Sequence, residues 1–284
     1  MHNLIFATFS LNLFKDLQDM LQYGFIQHAF EAGTIIAIVA GLVGYFVVLR
    51  RLSFAAHALS HAGFAGAAGA VLIGINPLIG LMAFTVSGAL GMATLGKRAA
   101  NRDVQIGTVL AFMLGLGVLF ISLYKGYATE AYSILFGEIL GISKSDVLIS
   151  LIVGAFLILI MYLIFKPLLF TTLDEDVAEA KGVPVLGLNI LFLVIIAIAT
   201  SIAVQVVGVL LIFALLVTPA AIAERLSRSP VKGIFISILV AVLVTWFGIF
   251  ISYYLPYPVS FFITSSVFLI YIIVRIIPLL SSKK

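Results

Sequence analysis

The sequence predicts an all-α, polytopic integral membrane protein of about nine (eight or nine) spanning helices, preceded by an N-terminal interfacial helix. Three observations predict it. First, 63% of the 284 residues are hydrophobic and only 10% are charged, whereas a soluble domain carries about 25% charged residues. Second, the apolar residues gather into runs of about 20, the length of one helical crossing. Third, the connections between runs alternate between rich and poor in lysine and arginine. A soluble chain of this size could not hide so much apolar surface, because a single core stops growing near this length. A soluble enzyme, a nucleic-acid binder and a disordered chain are therefore excluded. The chain has no cysteine, which also excludes disulfides, thiolate metal sites and iron–sulfur clusters.

Residues 1–28 form an N-terminal segment, and residues 29–284 a single transmembrane domain. The N-terminal segment is not a secretory signal, which begins with a basic stretch, because its first positive residue is Lys15. Over 11–25, Phe14, Leu17, Met20 and Leu21 share one helical face, with Lys15, Asp16, Gln18, Asp19 and Gln22 on the other. That pattern reads as an amphipathic helix lying at the membrane surface.

The nine apolar segments fall near 30–49, 53–75, 77–96, 104–124, 146–165, 186–204, 207–223, 231–252 and 258–278. Only Gln205 and Gly208 divide the sixth from the seventh. Residues 186–224 are either two spans or one span plus a re-entrant piece. Positive residues set orientation. Lys15, Lys125 and Lys144 fall on one side, and all other lysines and arginines on the opposite side. This predicts nine crossings in the plasma membrane, with the N-terminus outside and the C-terminus in the cytoplasm. Two loops exceed simple connections. Residues 124–145 carry Glu130, Glu138 and the stretch LFGEILG outside. Residues 166–184 carry Asp174, Glu175, Asp176 and Glu179 inside, then Gly182-Val-Pro. This acidic loop is competent to form a short helix ended by glycine and proline. It is either a solvated connector or a helix presented to a cytoplasmic partner.

His57 and His61 are the ionisable exception to an apolar interior. They lie roughly 9 and 15 Å beyond Arg51 at 1.5 Å per residue, so His61 approaches the midplane. The i, i+4 spacing puts both imidazoles on one face. Intramembrane ionisable residues usually mark an ion or substrate path, and imidazole suits zinc, copper, iron or nickel. Two neutral histidines bonded to neighbouring helices are the plain alternative. Around them Ala58, Ala62, Gly66 and Ala70 recur every four residues, a spacing that lets helices approach closely. It serves packing within one subunit or beside a pathway at a subunit contact.

Two motifs mislead. HALSH has Ala58 where the metalloprotease motif HExxH has its glutamate. Gly91 to Lys97 approximates a phosphate-binding loop but lacks its Ser/Thr and ends an apolar helix. No nucleotide site follows, so any ATP must be handled by another chain.

Two stretches carry a family likeness. One runs from Phe25-Ile-Gln-His-Ala-Phe-Glu-Ala-Gly33 through Leu49-Arg-Arg-Leu-Ser-Phe54 to His57-Ala-Leu-Ser-His61 and Gly66; the other is Gly208-Val-Leu-Leu-Ile-Phe-Ala-Leu-Leu-Val-Thr-Pro-Ala-Ala-Ile-Ala223. Together they resemble the permease subunits of metal-cation ABC importers, the zinc/manganese/iron family. The acidic loop resembles that family's coupling region at Asp174, Glu175, Asp176, Ala178 and Gly182. The resemblance implies a homodimeric permease with a cytoplasmic ATPase subunit and an extracytoplasmic metal-binding solute receptor. It implies no enzymatic activity in this chain and no covalently bound cofactor, with metal as the transported substrate.

The family's second-helix motif usually reads Asp-x-x-x-His. Here the histidine matches His61, but His57 stands at the aspartate position. Imidazole suits zinc better than a carboxylate does, so zinc is expected ahead of manganese. Gln205, Thr218 and Pro219 are candidates for the pathway or its gating, since intramembrane proline is tolerated where it lines a cavity or is packed by neighbours. The competing functions are an ABC permease for a metal chelate of the siderophore or cobalamin type, and an ion-coupled carrier acting alone. An intramembrane hydrolase would need a nucleophile–base pair that is not evident.

Overall fold

The computed structural model describes residues 18–95, 102–124, 137 and 139–281. In chain order the helices are α1 (Gly24–Leu49), α2 (Ser53–Ile73), α3 (Pro77–Leu95), α4 (Arg102–Leu123), α5 (Lys144–Leu173), α6 (Glu175–Ala180), α7 (Val185–Val207), α8 (Val209–Leu226), α9 (Pro230–Tyr254) and α10 (Val259–Ser281). A single 3₁₀ turn, Ile139–Gly141, precedes α5. Among the described residues nine helices, all but α6, are long and apolar enough to cross a membrane.

The expected interfacial helix lies largely outside the described residues, as do Lys15, Lys97, Arg98, Lys125, Glu130, Glu138, Lys283 and Lys284. Residues 18–20 are helical, and the chain turns at 21–23 before α1. Two boundaries differ from expectation. Helix α1 starts at Gly24 rather than near 30. Helix α5 runs on to Leu173 instead of stopping at 165, with Pro167 inside it. Proline deletes one helical hydrogen bond, but the apolar run Leu168-Leu-Phe-Thr-Thr-Leu173 continues the helix beyond it. The acidic loop is therefore shorter than 166–184 at its N-terminal end.

Gly208 divides the sixth and seventh segments into two helices. Its φ of 82° and ψ of 164° lie in a region open essentially to glycine alone. The turn is buried, and Gly137 of the preceding connection packs against it so closely that a Cβ there would strike the Val207 carbonyl carbon. Backbone polar groups at such a turn need internal partners. Gly208 N–H donates to the Val204 carbonyl at 2.9 Å.

Burial separates central helices from peripheral ones. Two-thirds (67%) of the spans of α1, α2 and α7 are buried, against 11% for α4 and 17% for α10. Helix α1 packs on α9, α8, α5 and α7, while α2 packs on α3, α4, α7 and α8. Buried polar links join these helices. Ser237 Oγ donates to the Gly41 carbonyl at 2.8 Å, and the Thr85 and Ser201 hydroxyls meet at 2.6 Å. The apolar side chains on α4, α5 and α10, such as Phe112, Tyr162 and Phe268, stay exposed, as expected of a surface solvated by lipid.

The small face of α2 is used inside the protomer. A Cβ on Gly66 would strike the Gly80 carbonyl of α3, and one on Gly80 would strike the Gly66 carbonyl. Ala58 and Ala62 are fully buried, and Gly69 lies against Phe120 of α4. By contrast, Gly115 on α4 has open space where a Cβ would stand.

The same substitution should therefore act in opposite directions at these two glycines. Gly66→Ala overpacks the α2–α3 contact and should cost about 1–3 kcal/mol. Gly115→Ala removes only a helix-weakening glycine and should gain about 0.5–1 kcal/mol. Thermal unfolding in detergent, followed by fluorescence of the single tryptophan, checks both signs.

Candidate functional site

Helix α2 begins at the Arg50 end of the bundle. Helix α1 closes there with a Schellman-type turn: Arg51 N–H donates to the Val48 carbonyl at 3.0 Å and Leu52 N–H to the Val47 carbonyl at 2.8 Å. Arg51 takes the left-handed conformation, φ 57°, where glycine is usual. Six residues on comes His57, and His61 lies near the middle of the 21-residue helix.

Both histidines are half-buried. Their rings stand 4.6 Å apart, centroid to centroid, in an edge-on arrangement at 82°. The His57 ring also meets Phe213 of α8 at 4.9 Å. The faces of α2 that carry its glycines are taken up by α3 and α4, and the His57 ring stands against α8. The expected pairing on one face is therefore observed. Among the described residues no group of three or more His, Cys, Asp or Glu side chains is placed to hold a metal. One chain thus offers two ring nitrogens, fewer than the four ligands of a closed tetrahedral site.

The other expected residues are dispersed. Gln205, near the end of α7, donates from Nε2 to Asp146 Oδ1 at 2.8 Å. Asp146 also completes a capping box on α5: its Oδ2 accepts from Ser143 N–H at 3.1 Å, while Ser143 Oγ accepts from Asp146 N–H at 3.3 Å. Gln205 and Asp146 line a cavity of about 280 Å³ together with Asn76. Both carboxylate oxygens are occupied, so this pair ties α7 to the start of α5. Thr218 and Pro219 lie inside α8, Pro219 buried and Thr218 half-buried. Gly44 of α1 packs against the Leu216 carbonyl just before the proline.

In the acidic loop, Asp174 caps α6 by accepting from Val177 N–H at 3.0 Å. Ala178 is fully buried. Gly182 has φ 81°, and its N–H donates to the Glu179 carbonyl at 2.9 Å. Glu175 and Asp176 are exposed. The short helix expected from the sequence is present, with each of the five named residues at or beside it.

Sequence reasoning passed over three residues. Phe213 lies within the second family stretch, but no periodicity marks it. Asp146 is the first residue of the apolar segment 146–165, and its capping-box spacing with Ser143 is the available signal. Arg50 was counted as a positive residue at a helix end. Its side chain is buried, a fate no local pattern announces. Asp146→Ala should cost about 1–2 kcal/mol, the scale of a lost helix cap, and Asp146→Asn should cost less. Chemical or thermal unfolding of the detergent-solubilised protein measures both.

Residues 22–277 match the ABC 3 transport family. The chain is 32% identical to the manganese transport system membrane protein MntC of Listeria innocua over 238 residues, covering 84% of this chain and 85% of that one. It is 34% identical to the manganese import system permease protein ScaB of Streptococcus parasanguinis, over 89% of this chain and 91% of that one. Among solved structures, PsaBC from Streptococcus pneumoniae in complex with Fab aligns with a TM-score of 0.83 and 31% identity, covering 93% of this chain and 95% of that one.

Proposed function

The chain belongs to the ABC 3 transport family, and from that premise we propose that it is the membrane permease subunit of an ATP-driven importer of divalent metal ions, passing the ion by His57 and His61. The observation that carries the metal path is the pair of half-buried imidazoles with ring centroids 4.6 Å apart in the second and third turns of a helix with no other ionisable residue. Both rings lie where an ion crossing between α2 and α8 would meet them.

We place manganese first among the metals. The expectation of zinc ahead of manganese rested on the imidazole donors alone, and it finds no support in the relatives, which are named for manganese. A transport site must release its ion, and two neutral nitrogens without a carboxylate hold manganese only weakly. That weakness is compatible with passage. A second copy of the chain, meeting the first near its histidines, would bring the donor count to four.

The remaining assignments follow from this reading. A separate ATPase subunit binds the cytoplasmic end at α6, where exposed Glu175 and Asp176 stand on a short capped helix. A metal-binding receptor docks at the opposite end, near the connection before α5. The protein crosses the plasma membrane nine times with its N-terminus outside. Gln205, Thr218 and Pro219 shape the pathway wall and do not ligate the ion. This chain hydrolyses nothing, and metal is its substrate.

Reconstitution tests the reading. In proteoliposomes containing the permease, its ATPase and its receptor, ATP should drive manganese uptake. A His57→Ala/His61→Ala double variant that assembles normally should lower uptake by about tenfold or more. Undiminished uptake by the variant would remove the pair from the path. Excess zinc should compete with manganese at these rings, and uptake indifferent to zinc would argue that the imidazoles do not touch the ion.

A further inference from the structure

Arg50 stands at the meeting point of three elements. Its guanidinium donates from Nη2 to Asn189 Oδ1 in the first turns of α7. The same Nη2 lies 3.6 Å from Glu175 Oε1, at the first residue of α6. The guanidinium carbon sits 5.4 Å from the centre of the Phe192 ring, also on α7. The Arg50 side chain is 6% exposed and that of Glu175 54%. The arginine is thus anchored inside the bundle and reaches out to an acidic residue on the surface helix.

The backbone of Arg50 is equally constrained. It ends α1, donating from its N–H to the Phe46 carbonyl at 2.9 Å. The two hydrogen bonds of the Schellman-type turn follow at once, and Leu52 then accepts the first helical bond of α2 from Ala56 N–H at 3.0 Å. No free hinge lies between Arg50 and the start of α2. A displacement of the guanidinium is therefore carried into the orientation of the helix that holds His57 and His61. Helices α1 and α2 touch little beyond this turn, so α2 can respond without dragging the whole of α1.

We propose that Arg50 is a positioning residue that joins α6 to the α1–α2 turn, so that movement of α6 by the ATPase tilts the histidine-bearing helix. This rests on the permease reading above and adds to it the residue through which the two ends communicate. Arginine suits the task because the flat guanidinium lies over the Phe192 ring while its Nη2 faces both the Asn189 amide oxygen and the Glu175 carboxylate. Lysine offers the charge without the flat face that stacks on the ring.

The test uses the reconstituted complex of permease, ATPase and receptor. The quantity read is manganese imported per ATP hydrolysed. Arg50→Gln should lower that ratio by about tenfold while ATP hydrolysis stays within about twofold of wild type. Arg50→Lys should recover part of the ratio. An Arg50→Gln complex with the wild-type ratio would overturn the proposal, and so would equal loss in Arg50→Lys and Arg50→Gln.

A second measurement does not need the arginine variant to fold. The chain has no cysteine, so spin labels at Glu179→Cys on α6 and Phe54→Cys on α2 report one distance. If Arg50 joins the two elements, that distance stays constant between nucleotide-free and ATP-trapped complexes. In a Glu175→Gln background it should broaden. A distance that changes with nucleotide in the unmutated pair would overturn the proposal. A wild-type complex that imports no manganese with ATP would instead defeat the permease reading itself, which separates the two failures.

Discussion

The structure depends on how closely helices can approach one another in a solvent that does not push them together. Lipid tails are as apolar as leucine, so burying an apolar face against another helix gains little that lipid would not supply. What remains is van der Waals contact and the occasional hydrogen bond, and both reward short distances. Gly66 and Gly80 bring α2 and α3 together until each backbone carbonyl occupies the place of the other's missing Cβ. Ala58 and Ala62 continue that surface at full burial. With those faces of α2 filled by α3 and α4, His57 is left against Phe213 of α8 and His61 beside it. The glycine and alanine pattern and the histidine pair are two consequences of one helix having its orientation fixed by packing.

Polar groups in the bundle follow the same economy of position. Thr85 and Ser201 satisfy each other between α3 and α7. Ser237 reaches the Gly41 carbonyl between α9 and α1. Gln205 reaches Asp146 at the start of α5. Each link ties two helices at one depth, and none supplies an ionisable group to the middle of the bundle. Charge is concentrated instead near the Arg50 end, where Arg50, Glu175 and Asn189 meet. The membrane interior and the charged end are bridged by α2, which starts at the turn held by Arg50 and carries both imidazoles.

Much of this was legible in the residues. Hydropathy runs located all nine spans because lipid imposes a length on every crossing. The i, i+4 spacing put His57 and His61 on one face because helical geometry leaves no alternative. Hydropathy leaves residues 186–224 as either two spans or one span plus a re-entrant piece, and the structure divides them into two helices at Gly208, whose backbone conformation is open essentially to glycine alone. Helix α5 runs past the expected end at 165, because the hydrogen bond missing at Pro167 does not outweigh the apolar continuation after it. Phe213 beside His57, Asp146 beside Gln205 and Arg50 beside Asn189 are contacts between residues far apart in the chain. Local pattern carries no record of them. The preference for zinc was drawn from donor chemistry without its surroundings, and the names of the relatives do not support it.

Donor chemistry and transport ask different things of a site. A storage site is best when every ligand matches its ion; a transport site must bind well enough to admit the ion and loosely enough to let it go. In the proposed reading, a pair of neutral imidazoles 4.6 Å apart meets the second condition for manganese, an ion better served by oxygen donors. Selectivity for manganese would then have to come from steps other than binding at the rings, such as capture by a receptor. Ring geometry becomes the adjustable quantity, because a weak site is sensitive to small changes in the angle of the helix that holds it. Helix α2 is gripped by α3 and α4 and touches α1 little beyond one turn, so a change in its angle would carry α3 and α4 with it and leave α1 in place. In the proposed reading, a tilt that draws the imidazoles away from those of the second copy would lower the donor count from four to two and release the ion.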